Sequence, residues 1–293
     1  MPEPRRLTAA ARVGTTTDVL GEGPVWDDRE QCVYYVDITS HRVYRREGAD
    51  LAQRTVVHEA DRAVTCVLLA QDGGLLIVER DRLVTRSIDG VVRSGPPLPA
   101  DALEADPQRR FNDGTIDPQG RLLIGTLHEG DVENQERLLR IDSAGHVETL
   151  ARSLTLSNGL GFDPSGLRLY HADTLRNRVN VYDYATPTPV PVRSFVVEPG
   201  YPDGLTVDAE GFIWVAVWGG SEVRRYTPTG MLDAQLPVPA RHVTAAAFMG
   251  DELVITTASE GVDDPLPVDG GVYSAHVGVR GATSYRWAGR TEA

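Results

Sequence analysis

Cysteine is scarce, positive charge is in deficit and long apolar runs are missing, and each shortage removes a class of protein. Only two cysteines occur in the 293 residues, Cys32 and Cys66, each inside an apolar, strand-like run and neither in a C-x-x-C pair. That disfavours a disulfide framework or a thiolate zinc site, and the two read as small buried hydrophobes in a reducing compartment. Acidic residues outnumber basic ones by 42 to 29, a formal net charge of −13. An acidic chain gains no counterion-release energy from a polyanion, so nucleic acid and membrane surfaces are not the expected partners; a small molecule is. No run of about 18 apolar residues is present. The opening "MPEPRRLTAAARVG" lacks the apolar core of a secretory signal, and the expected location is cytoplasmic. No G-x-S-x-G elbow exists and neither cysteine has a convincing catalytic partner, so a covalent nucleophile has little support.

What is present is repetition. Six segments align: "GEGPVWDDREQCVYYVDI" from Gly21, "VTCVLLAQDGGLLIVERD" from Val64, "FNDGTIDPQGRLLIGTL" from Phe111, "SNGLGFDPSGLRLYHAD" from Ser157, "PDGLTVDAEGFIWVAVW" from Pro202 and "VTAAAFMGDELVITTAS" from Val243. They recur about every 45 residues, the spacing of propeller blades. In each, a short apolar strand enters a Gly- or Asp-containing turn and leaves as a second, more hydrophobic strand. Alternating stretches such as "RVNVYDYATPTPVPVRSF" supply the rest, about four strands per period. "NQERLLRI" has a helix-like composition, but its place before the turn "DSAGH" makes it a strand. The expectation is an all-β, six-bladed β-propeller forming a single domain over residues 1–293. "RRLTAAARV" and "GGVYSAHVGVRGATSYRW" read as strands sharing the closing blade, which removes an exposed edge.

The turn aspartates serve as a ruler. Five positions before Asp27, Asp117, Asp163 and Asp208 stand Glu22, Asn112, Asn158 and Asp203; the equivalent places in the other two repeats hold Thr65 and Val243. Corresponding residues of a propeller's innermost strands lie at one height around the channel, so four oxygen-bearing side chains converge there. Gly23, Gly159 and Gly204 follow three of them, whereas Asp113 follows Asn112, which sets Asn112 apart. Asn or Asp before Gly is also a common turn pair, sufficient for any one repeat. Four coincidences at one register outweigh it. Converging carboxylates need a cation or protons to offset their repulsion. With no thiolate or His in register, the set suits Ca²⁺, Mg²⁺ or Mn²⁺, and zinc is compatible.

Several of these stretches carry a resemblance. "GEGPVWD", "RFNDGTIDPQGRLLIGTL", "SNGLGFDPSG", "PDGLTVDAEGFIWVA" and the closing "GGVYS...GATSYRWAG" resemble the family that includes gluconolactonase, regucalcin (senescence marker protein) and the luciferin-regenerating enzyme, over Leu20 to Gly289. The resemblance implies a six-bladed propeller with one central divalent cation, Ca²⁺ first and Zn²⁺, Mn²⁺ or Mg²⁺ as alternatives, hydrolysing sugar lactones. It implies Glu22, Asn158 and Asp203 as metal ligands, Arg110 and Asn112 as substrate contacts, and Asp203 as general base. The position of a substrate-contacting Glu in animal members holds Gly130 here, preceded by His128 and Glu129.

Lactone hydrolysis needs a polarised carbonyl, an activated water and a stabilised oxyanion. His128, Glu129, Trp218, Arg241 and His242 are further candidates for the pocket wall, Trp218 as an apolar surface for a sugar ring; for each, core packing or a solvated loop is the plainer reading. Two rivals stand beside the lactonase: another ester or phosphotriester hydrolase on the same scaffold, and a non-catalytic calcium-binding propeller.

Overall fold

Each of four hairpins is closed by its ruler aspartate. Asp117 Oδ1 accepts the backbone N–H groups of Gln119 and Arg121, both at 2.9 Å, and Asp163 Oδ1 accepts those of Leu167 at 2.9 Å and Arg168 at 2.8 Å. Asp208 Oδ1 does the same for Glu210 at 3.0 Å and Phe212 at 2.9 Å, and Asp27 Oδ1 accepts Arg29 N at 3.1 Å. These are side-chain mimics of a backbone turn, the reason Asp is favoured there. The chain then needs a residue at positive φ, which Gly211 supplies at φ 84°.

The computed structural model describes residues 3–48, 50–99, 102–104, 106–130 and 134–291. The fold is all-β with almost no helix; the described residues contain one short 3₁₀ turn, Thr174–Arg176. "NQERLLRI" is strand over Glu136–Ile141. The strands Gly21–Asp27, Val64–Leu69, Arg109–Ile116, Ser157–Phe162, Tyr201–Val207 and His242–Met249 contact one another in a closed, propeller-like ring. Apolar clusters fill the spaces between neighbouring sheets, around Phe111 and Trp287, Tyr35, and Tyr170 and Val215, so the core is a set of layers between sheets. Cys32 and Cys66 are free thiols inside these layers.

Six separate blades are not what forms. The described residues make four four-stranded sheets and one nine-stranded sheet. The fifth and sixth repeats are joined because Trp218, at the end of Ile213–Trp218, pairs with His242, at the start of His242–Met249. Their rings stack with centroids 4.0 Å apart, so one rung of backbone pairing and one stacked pair suffice to merge the two. Ala11–Val13 pairs antiparallel with Val272–His276 in this sheet, and Arg5–Arg6 pairs parallel with Leu232–Pro237. "GGVYSAHVGVRGATSYRW" continues as a strand only over Val272–His276. Its remainder crosses the turn side of the ring, where its backbone hydrogen bonds go to separate sheets: Ala282 N to Val207 O, Trp287 N to Leu69 O and Ala288 N to Gly120 O, each 2.9 Å. A segment divided among three sheets cannot pair along one edge.

The segment leading into the first inner strand carries a buried acid. Asp18, its side chain 1% exposed, accepts Arg54 Nη1 at 2.6 Å. Burial pushes its pKa up from 3.8 to about 6 against the pull of Arg54 and Arg46, with Asp37 adding to the rise. A folded-state value above the unfolded one means that the stability Asp18 carries is complete below about pH 4 and lost as pH rises through about 6. A shift of this size is worth roughly 3 kcal/mol. In denaturant titrations, the unfolding free energy of Asp18→Asn should therefore gain about 3 kcal/mol on the parent between about pH 4 and pH 7. A gap that stays constant over that interval would contradict the burial of the charge.

Candidate active site in the central channel

All six inner strands are broken by a β-bulge, between Glu22 and Val25, Val64 and Cys66, Phe111 and Gly114, Ser157 and Leu160, Pro202 and Leu205, and Val243 and Ala245. A bulge sets two residues of one strand against one of its partner and re-aims a side chain. Asn112, Asn158 and Asp203 each open such a break and Glu22 stands immediately before one. The break in the sixth repeat falls at Thr244, whereas Val243 is fully buried in the apolar layer. Thr244 Oγ1 donates to Gly21 O at 2.5 Å, so this position ties the last repeat to the first and Val243 is not its equivalent.

The bulges bring Glu22, Asn158 and Asp203 together, all buried. Asn158 Nδ2 donates to Asp203 Oδ1, and Glu22 Oε2 accepts the Gly23 N–H at 2.9 Å. Burial pushes Asp203 well above the usual carboxylate range and the neighbouring Asp113 carboxylate adds to the rise; hydrogen bonds from Asn158 and the Gly204 backbone oppose it. Glu22 is raised in the same way, by burial and then by Asp203 and Asp113, with Gly23 N and Arg110 opposing. Asp113, pushed by burial to about 6, gives the N–H of Gly114 an acceptor at 2.7 Å. The channel centre therefore holds three mutually repelling carboxylates and a carboxamide. The third acid was not expected. Its only trace in the sequence is the Asp that takes the place of a glycine after Asn112.

The donor chemistry fits a hard divalent cation, with oxygen atoms only and a buried negative charge that a cation would offset. Among the described residues no group of three or more His, Cys, Asp or Glu side chains is arranged to hold a metal. Glu22 and Asp203 therefore make a three-donor set only with the carboxamide of Asn158. The Asn158 Nδ2 faces Asp203, which leaves its carbonyl oxygen as the donor.

Arg110 and Asn112 lie beside this cluster, bonded to each other. Arg110 Nη1 donates to Asn112 Oδ1 at 2.8 Å and to Phe111 O at 3.0 Å, while Asn112 Nδ2 donates to Ser157 O at 3.0 Å. Both ends of the Asn112 amide are thus engaged by protein, which makes it a brace for Arg110. Ser157 is held in turn by His171, with Oγ and Nε2 2.7 Å apart. Burial lowers the His171 pKa to about 4, so the imidazole is neutral at ordinary pH. The pair is no nucleophilic dyad. Both residues are fully buried, and a Cβ at Gly125 would lie 2.4 Å from Ser157 Oγ, leaving no room for a substrate.

The remaining candidates divide. Glu129 reaches the site: Oε1 lies 3.7 Å from Arg110 Nε, and Arg80 donates to both its oxygens at 2.6 and 3.0 Å. His128 is held in its own loop, its Nδ1 accepting Gly130 N at 2.9 Å and its Nε2 3.3 Å from Asp106 Oδ2. Trp218 has one face covered by His242, so at most its other face can meet a sugar ring. His242 Nδ1 lies 2.9 Å from Glu260 O. Arg241 is committed to Asp269 and to the carbonyls of Asp263 and Asp264. Sequence reasoning missed Arg80 and Glu260, which act on the charge of Arg110 from other repeats. Towards the turn side, below the cluster, a cavity of about 560 Å³ is lined by Gly23, Cys66, Asp113 and Gly204 and reaches Tyr285 and Arg286 of the crossing segment.

Residues 20–259 match the family described as SMP-30/Gluconolactonase/LRE-like region. The chain is 34% identical to pentonolactonase XacC of Haloferax volcanii over 94% of this chain and 97% of that one. It is 31% identical to 6-deoxy-6-sulfogluconolactonase of Pseudomonas putida over 92% and 96% respectively. Among solved structures, regucalcin from Agrobacterium tumefaciens, described as a calcium-binding protein, superposes with a TM-score of 0.85 at 28% identity, covering 98% of this chain and all of that one.

Proposed function

The chain belongs to the SMP-30/gluconolactonase/LRE-like family, and from that premise we propose that it hydrolyses sugar lactones to the corresponding acids with a divalent cation in the central channel. The observation that carries this reading is the cluster of the buried Glu22 and Asp203 with the half-buried Asp113, beside Asn158 and the braced Arg110. Relatives named pentonolactonase and L-arabinolactonase support the substrate class, and the calcium-binding description of the regucalcin structure supports the cation. Ca²⁺ is the first choice, with Zn²⁺, Mn²⁺ or Mg²⁺ as alternatives.

Glu22, Asn158 and Asp203 would hold the cation, which when bound would supply Lewis-acid polarisation of the lactone carbonyl. The protein residues do the rest. Arg110, fixed by Asn112 Oδ1 and Phe111 O, orients the sugar hydroxyls with its outward N–H groups. The Asp203 carboxylate takes a proton from the attacking water and returns it to the ring oxygen as the carbon–oxygen bond breaks, giving the hydroxy acid. Burial keeps bulk water from competing for these hydrogen bonds.

The test is a pH-indicator assay of aldonolactones, run alongside elemental analysis of the purified protein. Acid release should disappear on chelation and return on adding back a divalent cation. If no aldonolactone is opened in the presence of any of the four cations, the lactonase reading fails.

A further inference from the structure

The chain contains no lysine, and none of the residues outside the described set is an arginine or histidine. Every side-chain cation that a substrate could meet is therefore already located. Two guanidiniums stand beside Asn112, and both are engaged. Arg80 holds the two oxygens of Glu129 at 2.6 and 3.0 Å and Pro107 O at 2.5 Å. Arg110 bonds Asn112 and Phe111 O and lies 3.7 Å from the same Glu129 carboxylate. A second acid, Glu260, also acts on Arg110 and is itself held by Thr39 Oγ1 at 2.5 Å. The histidines are occupied as well, His128 by Gly130 N and His242 by Glu260 O. Two guanidiniums against two carboxylates leave this end of the channel neutral, above a centre of three further carboxylates.

We propose that the site takes uncharged polyhydroxy lactones and discriminates against lactones bearing an anionic substituent such as a sulfonate or phosphate, with Glu129 as the specificity-determining residue; this rests on the lactonase reading. An incoming anion has to displace Glu129 from a two-point bond to Arg80 before it gains a guanidinium of its own. That bond is a charge-assisted pair made at two points, which solvent screens in part because the Glu129 side chain is 45% exposed. The anion also approaches a chain whose formal net charge is −13. A relative in Pseudomonas putida carries the name of a sulfonated lactone. Discrimination of this kind is therefore a property of the groups at the mouth, since the scaffold alone does not decide it.

The experiment compares kcat/KM of the full chain, with a divalent cation added, on glucono-1,5-lactone and on its 6-sulfo and 6-phospho counterparts. The parent should favour the neutral lactone by roughly tenfold or more. Glu129→Gln should narrow that ratio, mainly by lowering KM for the anionic lactones, and Arg80→Gln should widen it. A folding defect affects both classes of lactone alike, so opposite shifts from opposite charge changes isolate the electrostatic role. A parent ratio near one or favouring the anion overturns the proposal, as do two variants that move the ratio in the same direction or not at all. If the parent opens neither class, the lactonase reading itself falls and this inference with it.

Discussion

Asp203→Asn should leave a folded protein whose kcat on its best lactone, at saturating cation, is lower by roughly 10²- to 10⁴-fold, the usual contribution of a positioned general base. The substitution keeps the shape and an oxygen that can still accept Asn158 Nδ2, but a neutral amide cannot take the proton of the attacking water. Cation affinity falls as well, because one of two ligating carboxylates is gone, so the two losses have to be separated. Glu22→Gln does this. It removes the other carboxylate and weakens the cation, yet turnover should recover largely once the cation is raised to saturation. Asp203→Asn should not recover, and its deficit should lie in kcat with KM little changed. A metal-saturated, folded Asn variant working at the parental rate would remove Asp203 from the base role and leave it as a ligand alone.

The contrast between these two acids shows how far the sequence reaches. The turn aspartates are local: each closes its hairpin with bonds to the next few backbone N–H groups, so a motif of a few residues reveals them. The positions of Glu22, Asn112, Asn158 and Asp203 are legible because they sit at a constant offset from those turns. The bulges are not, since an extra residue in one strand is defined only by its partner, and judging the sixth repeat from its second strand therefore selected Val243 where Thr244 makes the break. Long-range contacts were equally hidden. Trp218 and His242 merge two repeats through a single rung, and Arg80 meets Glu129 across 49 positions of chain. Nothing in either neighbourhood marks the other. Asp113 lay in plain view, but only the packing of three strands shows that its carboxylate shares a site with Glu22 and Asp203.

Asp208→Ala should produce the opposite phenotype from a residue only five positions away. Beyond its turn, Asp208 Oδ2 accepts Trp214 Nε1 at 2.9 Å, Arg225 Nε at 2.9 Å and Arg225 Nη2 at 2.7 Å, all inside the fold. It is fully buried, as is its ion pair with Arg225. Removing one partner of a buried pair strands the other, which typically costs about 3 to 5 kcal/mol. Arg225 keeps Asp233 at 2.8 Å and Glu210 at 2.6 Å, so the loss should fall near the lower end, about 3 kcal/mol. That corresponds to a thermal midpoint lower by roughly 5 °C for a chain of this length. The indole N–H of Trp214, almost wholly buried, loses its acceptor at the same time. Turnover by the molecules that remain folded should stay close to the parent, because Asp208 touches none of Glu22, Asn158 or Asp203. Adding Arg225→Met to Asp208→Ala should recover part of the stability, since it withdraws the stranded charge and leaves an apolar side chain of similar length. A double variant less stable than the single would mean that Arg225 is held mainly by Asp233 and Glu210. The pair with Asp208 would then be incidental to the fold.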